Sequence, residues 1–296
     1  MKYSIITVNY NNREGLRRTI ESVIGQTFRD YEFIVIDGGS TDGSADVLRE
    51  YDKDITYWVS EKDSGIYNGM NKGIRKATGE YLNFMNSGDC FYDNNVLHRV
   101  SEVMGETSKL CKDAVVGHAS QRDREASAKP ENYTHYDIIV GRDYHYSEEL
   151  QQGHASIQPP RTTMMHFFVA TLDHQSAFIR RELFKDSLYR EDYRLVSDWI
   201  FFTEKVVTEG RRIEFIPDIV CRREEGGISE QQQQRNRQEI SQFLHQYLPQ
   251  GVYEDYATLS KLGKVNLYRL FDICDNDRKR KVLVWCIKVI IRLFRT

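Results

Sequence analysis

The chain has 296 residues, 40% hydrophobic and 29% charged, with a formal net charge of -3. That balance excludes a disordered polyelectrolyte or a fibrous repeat, allows a sizeable core, and gives a nucleic-acid partner no global support. The cysteines (Cys90, Cys111, Cys221, Cys274 and Cys286) form no C-x-x-C pair, which argues against a disulfide framework or a zinc site and for a reducing compartment.

Ser4 to Val8 is short, apolar and β-branched, the pattern of a buried parallel strand. The run stops at Asn9, so it is not a signal peptide, and no later run is long enough for a membrane span. Leu16, Ile20, Val23 and Ile24 fall on one face of a helix. Glu32 to Ile36 is a second buried strand, followed by the turn Asp37-Gly-Gly-Ser-Thr-Asp-Gly43 and a helix carrying Val47, Leu48 and Tyr51. Ile55 to Ser60 predicts a third strand and Tyr67 to Ala77 a helix, with Thr78-Gly79 as its C-cap. Tyr81 to Met85 is the fourth strand, running into Asn86-Ser87-Gly88-Asp89. Strands alternating with helices of this length predict a mostly parallel sheet with right-handed crossovers.

Beyond Asp89 the pattern loosens. Asn95 to Met104 reads as a helix and Ala114 to Gly117 as a short strand. Residues 119–165 read as strands and loops over a site. Phe167 to Thr171 and Gln175 to Ile179 look strand-like, and Arg180 to Phe184 begins a helix. Val196 to Val207 is helical, with Ser197 as N-cap; Ile213 to Pro217 is a strand. Gln231 to Tyr247 is a polar helix. The end of the chain, from Arg278, is basic and amphipathic, with Trp285 and aliphatics between Lys281, Lys288, Arg292 and Arg295. Such a helix either packs on its own domain or lies in an interface of anionic lipid.

Ligands of open α/β sheets bind outside the carboxyl ends of the strands, which places Asp37 and Asp89 where a ligand would be. The glycine-rich turn after Asp37 lacks the G-x-x-x-x-G-K and G-x-G-x-x-G phosphate patterns. Its acids repel phosphate and suit a base or sugar hydroxyl; a simply capped strand–helix turn is equally consistent with it.

Thr7-Val-Asn-Tyr-Asn11, Ser22-Val-Ile-Gly-Gln-Thr27, Glu32 to Gly43, Asp63 to Gly73 and Thr78-Gly-Glu-Tyr81 together resemble the start of a family 2 glycosyltransferase. The likeness is dense over residues 3–92 and sparser to about 230. It implies an inverting enzyme of the glycosyltransferase-A fold, a Rossmann-like, mixed but mostly parallel α/β sheet with helices on both faces. Here a helical C-terminal extension would be added. The divisions expected are a nucleotide-sugar-binding half (1–118), an acceptor and catalytic half of the same domain (119–230), and the extension (231–296).

The resemblance further implies a nucleotide sugar donor, with UDP first among nucleotides, and a glycan or lipid-linked acceptor. Thr7 and Tyr10 would flank the base, Tyr10 by stacking, and Asp37 would accept a hydrogen bond from it. Asp63, Lys72 and His174 would lie near the donor. Arg223, in the segment Arg222 to Ser229 with its Gly226-Gly227 hinge, would offset diphosphate charge. Asp89 would hold a divalent metal, Mg or Mn, and Asp198 would be the general base, with Glu191 and Asp192 as competitors. The chain departs from the family where Asn86 and Gly88 stand in place of acids, leaving Asp89 as the one carboxylate expected on the metal. A nucleotide- or sugar-binding module without turnover stays open on that ground. Hexosyl or N-acetylhexosaminyl transfer in polysaccharide synthesis at the cell envelope is the activity expected. The location expected is cytoplasmic, peripheral on the inner face of the membrane through residues 278–296.

Overall fold

The computed structural model describes residues 1–114, 136–147, 151–159, 161–224 and 231–293. The first half is β1 (Tyr3–Asn9), α1 (Arg13–Ile24), β2 (Tyr31–Asp37), α2 (Ser44–Glu50), β3 (Tyr57–Ser60), α3 (Ile66–Lys76) and β4 (Tyr81–Phe84). There follow β5 (Cys90–Phe91), α4 (Val96–Ala114), β6 (Ile138–Ser147), β7 (Gln152–Ala155), α5 (Met164–Val169), β8 (Ala177–Arg180) and α6 (Ser197–Thr203). The remainder is β9 (Ile213–Glu224), α7 (Gln233–Tyr247), α8 (Gln250–Ser260), α9 (Lys264–Asp275) and α10 (Asp277–Leu293).

These strands form one sheet in the order β3-β2-β1-β4-β8-β6-β9-β5, with β7 paired to β6. Strands β1 to β4 are parallel; β8 runs against β4 and β6 runs against β8. The strands are continuous apolar runs because both faces are covered. Successive side chains alternate, so Ile6, Val8, Ile34 and Ile36 enter one core, and Tyr3, Ile5, Phe33 and Val35 the other. Helix α3 lies close enough to β1 that a Cβ on Gly73 would sit 2.5 Å from Ile6 Cγ2, which explains a glycine in mid-helix.

Some elements differ from the sequence expectation, each for a local reason. Helix α3 ends at Ala77 in extended backbone, not on Gly79. Gly79 is needed for another purpose: a Cβ there would lie 2.6 Å from Ser4 N. The buried Glu32 carboxylate gathers this junction by accepting from Ser4 Oγ (2.6 Å) and from the backbone N–H groups of Thr78 (2.5 Å) and Gly79 (3.1 Å). The strand expected over Phe167 to Thr171 does not form: Phe167 to Val169 end the helix Met164–Val169, and a short apolar run such as Phe167-Phe-Val-Ala does not distinguish strand from helix. The strand expected over Gln175 to Ile179 is β8, which starts only at Ala177 because His174–Ser176 form a 3₁₀ turn. Helix α4 runs on to Ala114, so that residue is not strand, and 115–117 lie outside the described residues. Val196, not Ser197, is the N-cap of α6; the Ser197 hydroxyl is buried without a partner.

Helix α10 leaves Val282 and Trp285 58% and 64% exposed, with Val284 and Ile287 also open to solvent. Among the described residues no helix is long and apolar enough to cross a membrane.

Candidate active site

The carboxyl ends of β1 and β2 form the first part of the site. Asp37 is fully buried, and its carboxylate accepts four hydrogen bonds: Asn9 Nδ2 (2.7 Å), Ser40 Oγ (2.5 Å), Ser40 N (3.0 Å) and Ser60 Oγ (2.6 Å). Burial alone would raise its pKa, but these donors outweigh it and hold Asp37 below its ordinary value. Its acceptor capacity is filled from within the chain. Thr7 is likewise buried and donates to Met85 O (2.7 Å), tying β1 to the end of β4. Tyr10, by contrast, is 68% exposed, just beyond the end of β1.

Asp63 follows β3. Its Oδ1 accepts from Gly65 N (3.0 Å), and its carboxyl packs where any Cβ on Gly38 would fall, 2.8 Å from Oδ2. Burial raises its pKa, with Asp37 and Glu191 adding to the rise against Gly65 N and Lys72. Lys72 is paired with Glu61 at 2.8 Å.

The turn after β4 is held by α1. Thr19 Oγ1 donates to Asp89 O (2.7 Å) and receives from Gly88 N (3.0 Å), while Asn12 Nδ2 donates to Ser87 O (3.1 Å). Gly88 has φ +104°, a conformation costly for a residue with a Cβ. Asp89 Oδ2 accepts from Gln175 Nε2 (3.1 Å).

Strands β6 and β9 and the loop before β8 carry a group that sequence patterns did not reveal. Asp143, His145 and Asp173 bring one ligand atom each to within 4.8 Å of one another. Ser176 Oγ donates to Asp143 Oδ1 and Ser156 Oγ to Asp173 Oδ2. Arg223 Nη1 stands 3.5 Å from Asp143 Oδ2. Burial, then repulsion from Asp173, pushes Asp143 up to about 7 against Arg223 and Ser176. Arg223 is held in its charged form by Asp143, Asp89 and Asp173 against the cost of burial. The Gly226-Gly227 hinge expected beyond it lies outside the described residues. The residues present fit a divalent cation. They offer carboxylate oxygens and an imidazole, and Asn86 Oδ1, in the Asp89 turn, is a buried oxygen without a partner.

Asp198 lies in the first turn of α6. Its Oδ1 accepts from the Tyr67 hydroxyl of α3 (2.7 Å), and its Oδ2 is 3.8 Å from His174 Nδ1. His174 is buried, stacked on Phe84, and shares a hydrogen bond with the Tyr189 hydroxyl (2.9 Å). Burial lowers its pKa despite Asp198, so at neutral pH this is a polar contact between an imidazole and a carboxylate, not an ion pair. The competing acids are otherwise engaged: Glu191 accepts from Asn68 and Asn71 (2.9 Å each), and exposed Asp192 pairs with Arg190 at 3.0 Å. The neighbours His174 and Gln175 thus touch Asp198 and Asp89, drawing two acids far apart in sequence to one sheet edge.

A sheet of this order, with acids gathered at the ends of β2 and β4, is the architecture of glycosyltransferase-A folds. Structures of TarS from S. aureus share it: the TarS 1-349 complex with UDP-GlcNAc superposes with TM-score 0.57 at 18% identity, over 77% of this chain and 59% of that one. Mannosyltransferase PcManGT from Pyrobaculum calidifontis, in complex with GDP-Man and Mn2+, gives 0.51 at 18% identity over 75% and 56% of the two chains. The family described as Glycosyl transferase family 2 matches residues 4–188, and the chain belongs to it. It is 41% identical over 111 residues to an uncharacterized glycosyltransferase of Mycobacterium tuberculosis, covering 36% of this chain. The chain spans 42% of that relative's length. It is 28% identical over 203 residues to the PGL/p-HBAD biosynthesis glycosyltransferase of Mycobacterium bovis, covering 67% of each chain.

Proposed function

We propose that the chain is an inverting glycosyltransferase that moves a hexosyl or N-acetylhexosaminyl group from a UDP sugar to an acceptor hydroxyl. The observation that carries this reading is Asp198 held by Tyr67 beside His174, one residue from the Gln175 that touches Asp89. A pure binding module has no use for a positioned carboxylate of this kind.

Tyr10 stacks on the base. Thr7 and Asp37 build the floor of the base pocket, and a base hydrogen-bonding Asp37 displaces the Ser40 or Ser60 hydroxyl. Asp63 and Lys72 bound the ribose and sugar side, and Arg223 faces the diphosphate. Asp89 would hold a divalent cation, Mg or Mn, and such a cation would supply positive charge to offset that of the leaving diphosphate. Asp198 takes the proton of the acceptor hydroxyl as its oxygen bonds to the anomeric carbon and the carbon–phosphate oxygen bond breaks on the opposite face. The nucleoside diphosphate leaves and the configuration inverts. Neutral His174 and Tyr189 fix the position of this carboxylate without competing for the proton.

The acceptor class is a polysaccharide or lipid-linked glycan of the cell envelope, and α10 brings the enzyme to the inner face of the membrane. Its exposed Val282, Val284, Trp285 and Ile287 follow the basic run Arg278 to Lys281. Calorimetric titration of UDP with and without Mn2+, followed by release of UDP from a panel of UDP sugars, tests the enzymatic reading. Tight UDP binding with no release from any donor, in the presence of acceptor extracts, supports a binding module instead. Flotation with phosphatidylglycerol vesicles, with and without residues 278–296, tests the membrane reading; equal flotation of both chains refutes it.

A further inference from the structure

Asp143, Asp173 and Asp89 all act on Arg223, whose guanidinium is 3.5 Å from its nearest oxygen on Asp143. An anionic diphosphate approaching these acids is repelled by those that are ionised, and a further cation would relieve that repulsion. His145 adds a ligand that an acid–arginine network does not need, on the strand that carries Asp143 and in reach of Asp173. Each carboxylate is also oriented from behind. Ser176 donates to Asp143 and Ser156 to Asp173, as the outer partners of metal ligands do. The His145 ring is stacked on His154 across β6 and β7, at 5.4 Å between centroids.

We propose that Asp143, His145 and Asp173 anchor the divalent cation of this enzyme, with Asp89 facing it from the neighbouring turn. The inference rests on the metal-assisted reading above and changes where the metal is held. It also explains how a chain with Asn86 and Gly88 in the β4 turn retains a metal: the missing oxygens come from β6 and from the loop before β8. Two carboxylates with one imidazole suit Mn2+ better than Mg2+, which prefers an all-oxygen octahedron.

The test uses the full chain and Mn2+ alone. Manganese binding is followed by electron paramagnetic resonance, with electron spin echo modulation to detect a coordinated nitrogen. Wild type is expected to bind Mn2+ with a nitrogen signal that His145→Gln removes. His145→Gln and Asp173→Asn should each weaken binding at least ~tenfold, since loss of even an outer partner costs that order. A wild-type spectrum without nitrogen modulation overturns the proposal and needs no variant. Variants that bind Mn2+ as wild type does also overturn it. UDP affinity measured in Mn2+ is read separately: its absence in wild type defeats the nucleotide-sugar reading, whereas its presence with no triad-bound metal defeats only this inference.

Discussion

Tyr67→Phe isolates the contact that positions the carboxylate proposed as general base. The Tyr67 hydroxyl donates to Asp198 Oδ1 at 2.7 Å, and burial and the nearby Asp198 charge raise the phenol pKa well above its ordinary value, so it stays a donor at any working pH. The substitution removes one oxygen and leaves the ring packed in the core that includes Met70 and Tyr189. A hydrogen bond to a charged group contributes about 1.5–3 kcal/mol. If it is spent on holding Asp198 for proton transfer, turnover falls about 10- to 100-fold, at ~1.4 kcal/mol per factor of ten. The assay is release of UDP from UDP-GlcNAc or UDP-glucose in Mn2+, with UDP affinity from calorimetry as the control. The expected result is a fall in kcat with UDP affinity unchanged, and no further fall when Tyr67→Phe is added to Asp198→Asn. Wild-type turnover, or an equal loss of UDP affinity and turnover, refutes the role given to this contact.

Gly73→Ala places a methyl 2.5 Å from Ile6 Cγ2, between α3 and β1. It should cost about 1–3 kcal/mol in urea unfolding by overpacking, and an unchanged midpoint contradicts the packing described. For Glu32, burial raises the pKa, but bonds from Ser4, Thr78 and Gly79 outweigh it and leave it below the ordinary 4.5. A depressed carboxylate stabilises the fold above its unfolded pKa and loses that contribution as pH falls through its folded value. Glu32→Gln should therefore flatten the acid limb of the stability curve below about pH 4.5, and an unaltered limb counts against the network.

The parallel half of the sheet was legible because strands buried on both faces are uninterrupted apolar runs, and the helices between them carry one apolar stripe. Asp89 and Asp198 could be placed from the sequence because motif order locates them at strand and helix ends. Tyr67 and Gln175 could not, since a tyrosine on a helix and a glutamine after a histidine look like many others until the sheet order brings β4, β8 and α6 together. Asp143, His145 and Asp173 were hidden for the same reason: besides its hairpin partner β7, β6 pairs with β8 and β9, which come later in the chain, and no local spacing records that. The helix at 164–169 was misread because its apolar run has no period. The filled acceptor capacity of Asp37 is a tertiary fact, created by Asn9 and Ser60 from neighbouring strands.

Removal of the acceptor proton by Asp198 is the step on which the proposed transfer depends. Asp198→Asn keeps the size of the side chain and an oxygen that can accept from Tyr67, so donor binding should be preserved. Its most direct test is UDP release by this variant against wild type, with UDP-sugar affinity measured on both. Loss of a general base predicts a fall of about 10²–10⁴ in turnover at nearly unchanged affinity. Turnover at the wild-type rate contradicts the account.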